Sequence, residues 1–247
     1  MKIRLFIAEI ALVIGHKYSL DKSQSHYLKN VLRVKEAKNI FVFNNKDGEF
    51  LAEVTAYNKD KIVEIIIIKQ TKMFYLPPKI GLVFSPVKNV KTEYIVTKAT
   101  ELGAIVIQPI QLERTIVKKV NSEKLQLNAI EAAEQSRRVD LPVIEKMKTL
   151  KEFLAELYSN DIIILADETG KGKIPEELFQ HLTVKRDSRV FVIIGPEGGI
   201  SDKDRELIYQ SEKNHSMILG PRILRADTAI IASLMLLQNY IGDIRHC

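Results

Sequence analysis

The sequence contains a single cysteine, Cys247, the last of 247 residues. No intrachain disulfide can form, and the residue stands too late for a C-terminal prenylation box. The five histidines are scattered, and no His/Cys cluster has zinc-ligand spacing. No structural metal is expected. Long apolar runs are also missing. The stretch TAIIASLMLLQNYIG, uncharged and close to the end, falls short of the ~18–20 apolar residues that a membrane span needs. At the start, Glu9 interrupts the apolar run, and no cleavage-type pattern follows. A soluble, cytoplasmic protein with no membrane partner is expected. Neither phosphate-binding fingerprint occurs, G-x-x-x-x-G-K-[ST] or G-x-G-x-x-G. Internal repeats and low-complexity segments are absent as well.

What is present is enough chain for one large domain, or one domain and a small companion. A chain of this length buries roughly 70–75% of its unfolded surface, so its core needs no staples. Net charge is +6. Residues 1–70 hold 12 Lys and Arg against 8 Asp and Glu, while residues 71–247 hold 25 against 23. The smaller part therefore carries most of the excess, which is compatible with an anionic partner such as RNA.

Residues 1–70 are strand-rich. IRLFI, NIFVFN, EFLAEVTAY and KIVEIIII are short, β-branched or aromatic, and partly alternating. Asp47-Gly48 marks a hairpin turn, and one helix is expected from about Lys22 to Arg33. The pattern is that of a small β-barrel or sandwich. The linker KQTKMFYLPPK (69–79) follows, stiffened by Pro77-Pro78. From residue 71 to 247, strands KIGLVFSP, AIVIQPI, DIIILAD, RVFVIIG and SMILG alternate with helices near 90–102, 122–138, 149–158, 174–182, 201–212 and 226–241. That rhythm predicts a parallel sheet with helices on both faces.

Ligands of such sheets bind beyond the carboxyl ends of the strands. Three strand ends stand out: LADETGKG (165–172), IIGPEGGIS (193–201) and ILGPRILRADTA (218–229). Two repeat the order apolar, apolar, Gly, Pro, and would wall one cleft if their strands were adjacent. Gly allows tight turning and Pro stiffens it. These loops offer backbone donors and acceptors, and carboxylates at Glu197 and at Asp167 or Glu168, but no lysine in the P-loop position. A nucleoside without phosphates suits them better than a nucleotide, and one with a positive centre better still. S-adenosylmethionine is such a molecule.

GPEGGIS and LGPRILRADTA together resemble the C-terminal signature of the SPOUT superfamily of methyltransferases. With HYLKNVLR (26–33), KATELG (98–103), ERTIVK (113–118) and EAAEQSRR (131–138) in that order, the chain resembles the RsmE family, which methylates N3 of a uridine in 16S ribosomal RNA. The resemblance covers nearly the whole chain. It implies a PUA-like barrel at 1–70 that helps bind RNA. It also implies a SPOUT α/β-knot domain at 71–247, whose last strands thread a deep trefoil knot around bent S-adenosylmethionine. A homodimer is implied too, with the C-terminal helix region at the contact. Burial of that helix within its own subunit is the competing reading. The substrate implied is 16S rRNA within the 30S subunit. A non-catalytic assembly factor and a SPOUT enzyme acting on tRNA are the alternatives.

The resemblance assigns roles by position. Arg225 is the candidate catalytic residue. Arginine near O2 or O4 stabilises the anion that forms as N3 of uridine loses its proton. Leu165, Ala166, Gly195, Glu197, Gly198, Gly199, Leu219, Gly220 and Leu224 form the cofactor set. His26, Lys29, Asn30, Arg33, Arg137, Arg138 and Arg222 are RNA-contact candidates. His26, Asn30 and Arg33 fall at helical spacing, with Leu28, Val31 and Leu32 as the opposite, core side. Glu134 and Arg138 share a helix face, so a local pair is the alternative to RNA contact. The general base and the roles of Glu101, Glu134 and Gln135 stay open.

Overall fold

The computed structural model describes residues 2–8, 10–57 and 62–246. Cys247 lies outside them, as does Lys61, the first residue of the KIVEIIII strand. The chain divides into two compact units, Met1–Leu76 with Ala133–Leu141, and Pro77–Ala132 with Pro142–Cys247.

The first unit holds β1 (Arg4–Phe6), β2 (Lys17–Ser19), α1 (Lys22–His26), β3 (Asn39–Asn44), β4 (Gly48–Tyr57) and β5 (Val63–Lys72). They form one sheet in the order β1-β3-β4-β5-β2, antiparallel except for β1 against β3. The β3–β4 hairpin closes at Gly48, whose φ of 87° only glycine adopts without strain. The Asn44 Oδ1 accepts the Lys46 and Asp47 N–H groups there, at 3.0 and 2.6 Å. Inward residues such as Ile40, Val42, Ala52, Val54, Ile65 and Ile67 make the core. Alternation along each strand places them on one face.

Asp21 caps α1 by accepting the Gln24 N–H at 2.7 Å. The expected helix to Arg33 does not continue as an α-helix. A π-helical turn, Tyr27–Val31, replaces its second half. The wider turn keeps Leu28 fully buried but turns Val31 outward to 59% exposure, so Val31 does not join Leu28 in the core.

A buried ion pair organises the same unit. Arg4 Nε donates to Glu49 Oε2 at 2.7 Å. Its remaining donors reach the carbonyls of Ala133 (2.8 Å) and Arg138 (2.7 Å). Residues 133–141, which include the end of helix α3 (Ser122–Ser136), are held to the sheet in this way.

The second unit contains β6 (Ile80–Phe84), α2 (Thr92–Glu101), β7 (Val106–Gln111), most of α3, β8 (Val143–Ile144), β9 (Lys148–Thr149) and α4 (Leu150–Ala155). It continues with β10 (Ile162–Ala166), α5 (Pro175–His181), β11 (Val190–Ile194), α6 (Asp202–Tyr209), β12 (Asn214–Met217) and α7 (Ala226–Ile241). The sheet runs β12-β10-β11-β6-β7-β8, with β9 also on β7, and every pairing is parallel. Both faces are covered, which is why β6, β10 and β11 read as unbroken apolar runs. Ile162, Ile164, Val190 and Val192 face α2, α5 and α7, whereas Ile163, Leu165, Phe191 and Ile193 face α4 and α6.

Helix α7 buries Ala229, Ile230, Leu234 and Leu237 within its own unit. Among the described residues no helix is long and apolar enough to cross a membrane.

Candidate active site

A cavity of about 890 Å³ opens at the carboxyl edge of the second unit's sheet. Its walls are the loops after β10, β11 and β12, together with the start of α7. One expectation needs correcting. The strands before the two Gly-Pro loops are not neighbours, because β10 lies between β11 and β12. The loops close on the cavity from either side of Ala166–Gly170. A fourth wall was missed in the sequence, the loop after β6, which contributes Val87 and Val90. The signal was available, since FSPVKN is another strand end carrying a proline.

Most of the expected cofactor set converges here. Ala166, Gly195, Glu197, Gly199, Leu219, Gly220 and Leu224 line the cavity, as do Arg222 and Arg225. Two members lie elsewhere. Leu165 is fully buried on the α4/α6 face of the sheet, because strand alternation turns it away from Ala166. Gly198 stands beside Arg114, whose Nη1 donates to the Gly198 carbonyl at 2.8 Å.

Local rules explain the loop shapes. Gly195 ends β11 against Ile200, and a Cβ built there would meet Ile200 Cγ1 at 2.6 Å. Ser201 caps α6 by accepting the Asp204 N–H at 3.2 Å, which starts the helix immediately after the turn. Arg225 occupies the N-cap position of α7, and its carbonyl accepts the Ala229 N–H at 2.8 Å. Its exposed side chain stands at the cavity rim.

Of the three carboxylates first considered as ligand acceptors, Asp167 is already satisfied. Its Oδ1 accepts from the Thr169 N–H, the Thr169 hydroxyl and Arg205 Nη1 at 2.8–2.9 Å. Its Oδ2 accepts from the Ser216 hydroxyl at 3.1 Å. Burial opposes its ionisation, but the Thr169 bonds, the Arg205 charge and the Ser216 hydroxyl outweigh burial and hold its pKa below the usual range. Glu168 and Glu197 remain on the cavity wall. Asn89 Nδ2 lies 3.5 Å from Glu197 Oε2.

The residues expected to meet RNA separate by environment. In the first unit His26, Asn30 and Arg33 are exposed, and Lys29 Nζ lies 5.1 Å above the Tyr57 ring. Arg33 and Arg137 both hold left-handed backbone, at φ 50° and 63°, a conformation uncommon outside glycine. Arg137 is exposed, whereas the Arg138 side chain is 9% exposed and bonded to Asp140 through Nε at 3.1 Å. Glu134 Oε1 accepts the Phe6 N–H at 3.0 Å. Glu101 is bridged by Lys98 at 2.7 Å and does not line the cavity.

Comparison with known proteins agrees with this architecture. Residues 75–238 match the RNA methyltransferase domain family, and residues 20–66 match the RNA methyltransferase PUA domain. The chain is 32% identical over 222 residues to ribosomal RNA small subunit methyltransferase E of Rickettsia conorii, covering 89% of each. It superposes with a TM-score of 0.85 on ribosomal RNA small subunit methyltransferase E of Neisseria gonorrhoeae bound to S-adenosylmethionine. That match has 25% identity and covers 98% of this chain and 99% of that one. A Legionella pneumophila protein solved with bound SAM is 27% identical, with a TM-score of 0.83 and coverage of 98% and 99%.

Proposed function

This chain belongs to the RsmE family of RNA methyltransferases, with a PUA-like domain and a SPOUT-type methyltransferase domain, and on that premise we propose that it methylates N3 of a uridine in 16S rRNA within the 30S subunit. The observation that carries the reading is the cavity itself. Two Gly-Pro loops and Arg225 meet at one rim on the carboxyl edge of a parallel sheet. The donor set fits S-adenosylmethionine. The walls combine apolar side chains, glycines and carboxylates, and among the described residues no lysine lines them.

Ala166, Gly195, Gly199, Leu219, Gly220 and Leu224 would hold the cofactor, with Glu197 near its polar groups. When bound, S-adenosylmethionine would supply an activated methyl group on a positive sulfur, which would leave as a neutral thioether. Arg225 lowers the cost of ionising N3 by placing its guanidinium where negative charge spreads over O2 and O4. Arg222 steadies the same nucleotide or its phosphate. The loops exclude water and align the reacting atoms, which supplies roughly 7–11 kcal/mol in favourable cases.

We assign RNA positioning to the first domain, residues 1–70, through His26, Lys29, Asn30 and Arg33. Arg137 adds to this surface, while Arg138 holds the segment through Asp140. The last loop is read as the threaded segment of a trefoil knot, and the working form as a cytoplasmic homodimer. Light scattering at about two chain masses supports the dimer, and one chain mass overturns it.

The decisive experiment is methyl transfer from labelled S-adenosylmethionine to 30S subunits from a strain lacking the activity, followed by mass spectrometry of the nucleosides. 3-Methyluridine supports the assignment. Label on another nucleoside or on tRNA overturns the substrate. Cofactor binding without label on any RNA favours an assembly factor.

A further inference from the structure

We propose that Arg205 is a positioning residue that locks two cofactor loops in the shape their ligand requires. The inference rests on reading the cavity as an S-adenosylmethionine site. Arg205 lies one turn into α6, which follows the glycine turn, and its side chain is 13% exposed. Nη1 donates to Asp167 Oδ1 at 2.8 Å, and Nη2 donates to Glu168 Oε1 at 3.0 Å. One planar fork therefore grips two consecutive carboxylates of the loop after β10.

The grip extends to the neighbouring loops. Glu168 Oε1 also accepts the Ile200 N–H at 3.1 Å, which fixes the end of the 195–200 turn. The Ser216 hydroxyl on Asp167 Oδ2 brings in β12. Three strand ends thus meet at the two carboxylates that this guanidinium holds. The two cavity-lining stretches it ties together, 166–170 and 195–199, hold most of the cofactor set. Arg114 also holds this turn, through the Gly198 carbonyl at 2.8 Å.

Lysine cannot replace this arrangement. Its ammonium is a point charge on a flexible stem and does not present two donors in one fixed plane. A useful control exists in the same unit. Arg189 donates through Nε to Asp161 at 3.0 Å and is partly buried. That pair precedes β10 and β11, at the opposite, amino ends of the same two strands. It shares the chemistry and the strands, but not the loops.

The test compares wild type, Arg205→Lys and Arg189→Lys by calorimetric titration with S-adenosylmethionine and by amide hydrogen exchange. Arg205→Lys is expected to weaken binding by at least about tenfold, or about 1.4 kcal/mol. It should also speed exchange in 195–201. Arg189→Lys should lower the melting temperature while leaving both readouts near wild type. Unchanged exchange at 195–201 in Arg205→Lys overturns the proposal, as does equal loss of affinity in the two variants. A wild-type chain that binds no S-adenosylmethionine overturns the cofactor reading instead. The exchange comparison still decides whether Arg205 holds the loops.

Discussion

Replacing Gly195 by alanine tests the loop geometry with one methyl group. Gly195 has no left-handed backbone, so alanine meets no torsional penalty there. The obstacle is space. The new Cβ would stand 2.6 Å from Ile200 Cγ1 and 3.3 Å from its Cδ1, against an ordinary contact of about 3.5–4.0 Å. Ile200 is 4% exposed and packed among Ile193, Ile208 and Phe153, so it cannot swing into solvent. Forcing a methyl into such a site costs about 1–3 kcal/mol. That cost divides between two observables. If the free protein keeps its loop in place, stability falls, and the melting temperature of the second unit drops by roughly 2–4 °C per kcal/mol. If the loop shifts to relieve the clash, stability is spared and binding must restore the loop. Affinity for S-adenosylmethionine then falls by about fivefold to 150-fold. Thermal unfolding and calorimetric titration together should recover the full amount. A variant with wild-type melting temperature and wild-type affinity would show that the turn is not packed against Ile200 as described.

Arg225→Ala should reduce methyl transfer by about 10²–10³-fold with cofactor affinity nearly unchanged, read from single-turnover rates and titration; an unimpaired rate removes Arg225 from the chemistry. Arg4→Ala should destabilise the first unit by about 3–5 kcal/mol in urea unfolding, because Glu49 is left charged and buried without its partner. Acid should weaken the second unit. Burial opposes ionisation of Asp161, but the Arg189 hydrogen bonds, the Tyr158 N–H and the Arg189 charge hold its folded pKa below normal. That stability is present above the unfolded value of about 3.9 and is lost as pH falls through the folded value. Urea midpoints at pH 7 and pH 3 should therefore differ less in Asp161→Asn than in wild type, and an equal difference in both would remove Asp161 as a cause.

The sheet of the second unit was legible because its chemistry is local and repetitive. Strands such as IIILA and VFVII are covered on both faces, so they read as apolar runs. Their helices carry stripes and caps of recognisable spacing. The first unit was less legible where pattern and geometry part company. Spacing from Lys22 to Arg33 gives a sound amphipathic helix on paper, yet the chain inserts a π turn and sends Val31 outward. Periodicity assumes 3.6 residues per turn and cannot register a turn that departs from it. The strands β2, β8 and β9 have two or three residues each. Such pieces are defined by their partners rather than by their own composition.

The site shows the same division more sharply. That Gly195, Gly199, Leu219, Gly220 and Arg225 line one cavity was readable, because its loops concentrate unusual residues in short stretches. Arg205 and Arg114 were not readable in role, although both were in plain sight. Arg205 falls in DKDRELIY, a charged helix segment whose plainest reading is a solvated face. Its partners lie 37 and 38 residues away, and Arg114 reaches a carbonyl 84 residues away. Nothing in a window of sequence separates an arginine facing water from one that forks between two carboxylates. The parallel topology makes the difference, by bringing the end of β10 beside the end of β11 where α6 begins. Motifs therefore mark the residues that line the cavity. The residues that hold those motifs in shape become visible only when the strand order is known.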